Sequence, residues 1–234
     1  MIPLRDAIPA QSFPAVTVLV IALNVLSFLY ELSLGSELDM FITQYGAVPL
    51  RFTWAWQRED VSIVKRFLPL VTSMFLHGGW LHLGGNMLYL WIFGDNVEDR
   101  LGHVRFLLFY LACGLVAALT QIYVHPTSRI PMVGASGAVA GVLGAYLILF
   151  PYSRVLTLIP ILFFFQIVEL PASLFLVFWF LMQFLSGAVS ITDDPYLTGG
   201  VAWWAHIGGF VGGVALGFLF PKRKRLRDNH GYDR

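Results

Sequence analysis

Charged positions cut this chain into long silent stretches. No Asp, Glu, Lys or Arg occurs in 7–30, 67–94, 106–128, 130–153, 170–192 or 195–221, and each stretch holds at least 23 residues. A helix needs roughly 20 apolar residues to cross a bilayer. The pattern therefore predicts an all-α membrane protein with six transmembrane helices, at about 13–31, 67–93, 105–124, 134–150, 170–189 and 203–220. The whole chain, 1–234, reads as a single membrane domain. Two other stretches carry expectations. The first loop, about 33–65, interleaves Phe41, Tyr45, Phe52, Trp54 and Trp56 with a few charges and Pro49. Aromatics at this density sit at headgroup level, so the loop is expected to be a half-embedded interfacial hairpin. Val155–Val168 lacks charge but is too short to span, and reads as an interfacial or re-entrant piece leading into span five.

Composition sharpens this class. Of 234 residues, 57% are hydrophobic and 12% charged, about half the charge of an ordinary soluble domain. A soluble enzyme, a disordered chain and a disulfide scaffold are excluded. A net charge of +1 leaves no basic face for nucleic acid, and the single cysteine, Cys113, precludes a disulfide within the chain. The first 30 residues lack the layout of a signal peptide, so 13–30 is expected to be a retained span. The tail 221–234, with Lys222, Arg223, Lys224, Arg225 and Arg227, reads as a cytoplasmic anchor. With both termini cytoplasmic, ten of the fifteen Lys and Arg fall on the inner side, as the positive-inside rule requires.

Candidate chemistry comes from polar groups inside the apolar runs, which are costly there and functional by default. Those singled out are His77, His82 and Asn86 in span two, Ser136 at the start of span four and His206 at the start of span six. In this topology all of them fall in the outer leaflet. His82 and Asn86, four apart, share one helix face. Ser136, Ala140 and Gly144 form one small stripe; Ala202, His206, Gly209 and Gly213 form another. Packing of these stripes would bring Ser136 to His206. A serine needs a base to take its proton, and histidine is the usual one. No Asp or Glu lies at this depth to make a triad, so the reading is a Ser–His dyad. The Ser136 backbone N–H, at a helix N-terminus, with the Asn86 amide and the His82 ring, would hold an oxyanion.

These residues resemble the rhomboid family of intramembrane serine proteases. Gly134-Ala135-Ser136-Gly137 matches the nucleophile motif, and Ala205-His206 with Gly209 and Gly213 matches the base helix. His82 and Asn86, preceded by His77, match the oxyanion segment; Gly94, Glu98 and Gly102 match the second-loop motif. The resemblance implies Ser136 as nucleophile, His206 as base and then acid, and His82 and Asn86 at the oxyanion. It implies a structural Glu98 tying the second loop to helix ends. It also implies a gate and lid made by span five and the outer loop 190–202, where Phe175, Phe178, Trp179, Met182, Trp203 and Trp204 would fit. The implied partners are transmembrane protein substrates and the lipid bilayer, with no cofactor or metal and no nucleic acid. The implied place is the inner membrane of a bacterium. Two departures stand out. Ala140 occupies the position where many bacterial members stack an aromatic on the histidine, so that partner must come from elsewhere or be absent. In the first loop no Trp is directly followed by Arg, although Trp54, Trp56 and Arg58 are present.

Rival readings have less behind them. An intramembrane metal site would draw on His77, His82 and His206, but the chain has no H-E-x-x-H pattern. A transporter would show paired halves, which are missing. A non-catalytic membrane-protein escort of the same fold is the alternative to a protease.

Overall fold

The computed structural model describes residues 1–161, 164–190 and 201–220. The chain is mostly helical, about 70%. Six long helices are α1 (Ala15–Ser33), α5 (Trp80–Leu101), α6 (His103–Val124), α7 (Ser136–Leu149), α8 (Ala172–Ser190) and α9 (Trp203–Leu219). Three of them, α1, α6 and α8, are long and apolar enough to cross a membrane; α7 and α9 are apolar but shorter. The tail 221–234 and most of the proposed outer lid, 191–200, lie outside the described residues.

Span two differs most from expectation. The charge-free run 67–94 is not one helix. A short α4 (Ile63–Thr72) and a 3₁₀ turn at Ser73–Phe75 precede α5, which continues past the run through Asp95, Glu98, Asp99 and Arg100 to Leu101. The break falls at Gly78-Gly79, where two glycines give the backbone freedom. Just before it, the buried Glu31 carboxylate of α1 accepts the His77 N–H, both oxygens at 3.2 Å. The extension also moves the Gly94–Glu98–Gly102 motif from a loop onto the end of α5. Gly102, at φ 81°, makes the sharp link to α6.

The fold is not purely helical either. Val155–Val168, expected as an interfacial or re-entrant piece, forms most of a hairpin of β2 (Arg154–Ile161) and β3 (Phe164–Pro171). The chain's start, β1 (Ile2–Asp6), adds antiparallel to β2, giving sheet order β1-β2-β3. Val, Ile and Phe at β-prone positions favour strand over helix here. Asp6 fastens the sheet to the bundle by accepting from the Tyr146 hydroxyl of α7 at 2.6 Å and the Asn96 amide of α5 at 2.8 Å.

The first loop is helical rather than a hairpin. It forms α2 (Leu38–Tyr45) and α3 (Pro49–Trp56) before α4, with Pro49 starting α3 at the position where its missing N–H costs nothing. Its main-chain groups brace the segment that leads into α7. Ala47 and Met132 exchange two backbone bonds, at 3.1 and 2.9 Å, and the Leu50 N–H reaches Ser128 at 2.9 Å. The missing Trp-Arg neighbour pair is made in space instead, with the Arg58 guanidinium 4.7 Å from the Trp54 ring centre.

One buried acid holds the other end. Pro14 precedes α1 and offers no capping side chain, leaving the first N–H groups of the helix without partners. Glu98, buried on α5, supplies the cap across space. It accepts from Val16 N–H at 2.9 Å, Thr17 N–H at 2.8 Å, the Thr17 hydroxyl at 2.7 Å and His103 Nδ1 at 2.5 Å. Glu98→Leu strands these buried donors, each worth about 1–3 kcal/mol. The expected result is a thermal midpoint in detergent lower by roughly 6–12 °C, with Glu98→Gln milder because it still accepts. A midpoint within a degree of wild type for Glu98→Leu would show that the cap is not structural.

Candidate active site

The core of the site is the packing of α9 against α6 and α7. The spacing predicts Ser136, Ala140 and Gly144 as the α7 contact stripe, but the contact is made by Gly137, Gly141 and Gly144. A Cβ on Gly209 would overlap the Gly137 carbonyl oxygen, and one on Gly213 would overlap that of Gly141. Gly144 meets the Phe210 carbonyl in the same way. Backbones this close need glycine on the facing helix. Ser136 and His206 sit at the end of this seam where α7 and α9 begin, one residue before Gly137 and three before Gly209. Their side chains meet: Ser136 Oγ lies 2.8 Å from His206 Nε2.

The far nitrogen of the imidazole is also held. His206 Nδ1 donates to Gln183 Oε1 of α8 at 2.8 Å. With Nδ1 protonated, Nε2 is the nitrogen left to accept the serine proton. Two tryptophans flank the ring where Ala140 offers nothing. Trp179 of α8 has its centroid at 6.2 Å, tilted 38°, and Trp203 stands edge-on at 6.1 Å. Of the span-five residues expected at the gate, Phe175 and Trp179 face inward, while Phe178 and Met182 are exposed. Trp204 donates to the Gly187 carbonyl at 3.2 Å, tying α9 to α8.

His82 and Asn86 converge on the same place from α5. Gly134, at φ +120°, passes beneath them; a Cβ there would lie 2.5 Å from His82 Nε2 and 3.5 Å from Asn86 Nδ2. Only glycine combines that dihedral with such an approach. The Gly134 N–H donates to the Ser73 carbonyl at 2.9 Å, which fixes the turn before Ser136. Asn86 Nδ2 donates to His77 Nε2 at 3.0 Å, and the His77 and His82 rings pack edge-on with centroids 5.1 Å apart. Ser136 is the first residue of α7, so its N–H has no acceptor within the helix. A narrow cleft lined by Gly114, Ala117, Gly137 and Ala205, together with Leu70, Met74 and Met132, opens beside Ser136.

Residues 64–223 match the Rhomboid domain. The chain belongs to the rhomboid family. It is 28% identical over 193 residues to the mitochondrial Rhomboid protein 1 of Saccharomyces cerevisiae, covering 79% of this chain and 52% of that protein. It is 38% identical over 136 residues to the rhomboid protease GluP of Bacillus subtilis, covering 57% of this chain and 24% of that one. RHOMBOID-like protein 5 of Arabidopsis thaliana is 31% identical over 183 residues, 78% of this chain and 52% of that protein. The chain thus spans about half, or less, of the length of these relatives. Rhomboids include proteases such as GluP and non-catalytic rhomboid-like members.

Three polar residues of this rhomboid escaped the sequence reading. Gln183 holds His206, and Glu31 holds the His77 peptide. Gln121 Oε1 accepts the Ala205 N–H at 3.2 Å, securing the first turn of α9. The signal for Gln183 was available, since it is the one amide side chain in the run 170–192. Glu31 sits just outside a charge-free run and reads as a helix-end charge, which conceals its burial.

Proposed function

We propose that this rhomboid is an intramembrane serine endopeptidase that cuts membrane proteins in or near their transmembrane segments. The observation that carries the reading is the 2.8 Å contact of Ser136 Oγ with a His206 imidazole whose other nitrogen is held by Gln183. Nε2 takes the hydroxyl proton as Oγ attacks the scissile carbonyl. The new oxyanion meets the Ser136 N–H at the α7 N-terminus, aided by the helix dipole and by N–H groups of Asn86 and His82. His206 then protonates the leaving amine, and a water activated by the same nitrogen hydrolyses the ester.

The six long helices are read as six spans in a bacterial inner membrane, with both termini cytoplasmic. In that frame α7, with 14 residues, is about 21 Å long, against a hydrocarbon core of about 30 Å. Ser136 therefore starts below the outer surface, and water must enter from that side. The narrow cleft beside Ser136 supports substrates with Gly or Ala at an unwound cut site. Replacing that substrate residue by Trp is expected to slow cleavage.

The metal reading lacks a ligand set, as no three His, Cys, Asp or Glu among the described residues are grouped to hold an ion. The escort reading predicts client binding with no reaction at Ser136. A fluorophosphonate probe on the purified protein in detergent separates the readings. Mass spectrometry is expected to find the adduct on Ser136, unaffected by chelator. No adduct, with client still captured, would favour an escort.

A further inference from the structure

The three-stranded sheet does not hang below the helix ends. Its β1 edge runs up along α5. Asp6 bonds Asn96 near the charged end of that helix, while the Met1 carbonyl accepts from the Tyr89 hydroxyl at 3.5 Å. Asn96 and Tyr89 are seven residues apart, about 10 Å along the axis. The hairpin goes further still. Leu158 is the partner of Ile2, and β2 continues to Ile161, a further ~10 Å at strand rise. The hairpin is therefore directed from the root of α7 and α8 back toward the middle of the bundle.

Its chemistry changes along that direction. At the root lie Arg5, Arg154 and Glu169, the last two 3.9 Å apart. Between Arg154 and Glu169 there is no charge. The outer face carries the cross-strand row Ile2, Leu158 and Ile167, followed by Phe165 opposite Pro160. Ile167 is 60% exposed and Phe165 72% exposed, and on α8, which follows β3 directly, Leu174, Val177 and Phe178 are also exposed. The inner face is buried at the root, where Val155 and Thr157 are fully covered, and opens toward the tip, where Phe164 is 75% exposed.

We propose that this sheet is seated in the membrane, with the outer face of the β2–β3 hairpin in contact with lipid acyl chains of the leaflet where α5 ends and α8 begins. Lipid is the occupant because the apolar face belongs to a hairpin that leads directly into a helix able to span the bilayer and rises beside another long helix, while its charges stay at the root. Its depth is limited. Among the described residues β3 pairs only with β2, and a free strand edge is not tolerated in dry hydrocarbon. The root thus lies at headgroup level, where water reaches that edge, and the Ile167 row lies about 10 Å in. This seating is independent of any chemistry at Ser136.

The test is depth-dependent quenching of a fluorophore on single-cysteine sites of the full chain in phosphatidylcholine–phosphatidylglycerol vesicles. Phe165→Cys and Ile167→Cys report the outer face, and Tyr152→Cys reports the root; Cys113 is buried and wild type serves as the labelling control. Labels at 165 and 167 are expected to be quenched several-fold more by lipid carrying a nitroxide high on the acyl chain than by aqueous iodide, with the reverse at 152. Iodide quenching at 165 and 167 equal to that at 152 would overturn the proposal, since the hairpin would stand in water. Should Phe165→Cys fail to reconstitute, Ile167→Cys on the same face gives the same reading.

Discussion

His206→Ala is expected to lower the cleavage rate by about 10⁴-fold or more while leaving the protein folded. Removing one member of a serine–histidine unit generally costs most of its catalysis, and what survives comes from the oxyanion site and binding. Here the loss leaves Ser136 Oγ without the acceptor that lies 2.8 Å away. Gln183→Leu acts one step further out. It touches neither the serine nor a substrate bond, so it is a positioning change: the His206 Nδ1–H loses its acceptor, and the ring is free to rotate or to adopt the other tautomer. A loss of about 10- to 100-fold is expected, equivalent to roughly 1.4–2.7 kcal/mol, in kcat with KM nearly unchanged. Kinetics on a single-span substrate check both. Gln183→Leu at wild-type kcat would mean that the flanking Trp179 and Trp203 suffice to hold the ring.

The second large effect comes from a single methyl group. Gly209→Ala places a Cβ on the Gly137 carbonyl oxygen, with Ala117 Cβ 3.4 Å away on the other side. Backbone atoms cannot yield as a flexible side chain would, so α7 and α9 must part. Overpacking of this kind costs about 1–3 kcal/mol in stability. The effect on activity is expected to be larger than that cost implies, because the seam directly sets the Ser136–His206 distance. Gly84→Ala is the contrast. It also adds a methyl to a helix glycine, but nothing lies within 4 Å of the new atom. That change is expected to stabilise by about 0.5–1 kcal/mol through helix propensity alone. Thermal midpoints and cleavage rates of the pair check the argument, and equal behaviour of the two variants would refute it.

Much of this was legible because long charge-free runs have few explanations other than membrane helices. The helices α1, α6, α7, α8 and α9 begin and end within a few residues of the expected spans. Ser136 and His206 could be paired because the expected topology puts both in one leaflet on small-residue helices, although on α7 the contact falls at Gly137 and Gly141 rather than Ser136 and Ala140, with Gly144 common to both. The break at Gly78-Gly79 was hidden because an apolar run looks the same whether or not its helix is continuous. The sheet was missed because one of its three strands comes from the other end of the chain. An isolated apolar 14-mer carries no sign of a partner at residues 2–6.

Gln183, Glu31 and Glu98 illustrate the limit from the polar side. Each is satisfied by a group far away in sequence: His206, the His77 peptide and the start of α1, respectively. The buried face of α1 adds to the pattern, with Thr17, Asn24 and Glu31 recurring every seventh residue on its inward side. Such residues look like tolerated polar positions until the fold supplies their partners. For Glu98, the family resemblance provided the structural role that the sequence itself lacked.

The most direct test of the account is cleavage of a single-span test substrate by purified protein in detergent, with wild type beside Ser136→Ala and a chelator present throughout. The account predicts that wild type cuts the substrate in chelator and that Ser136→Ala, folded to the same thermal midpoint, does not. Cleavage by Ser136→Ala at the wild-type rate would contradict it.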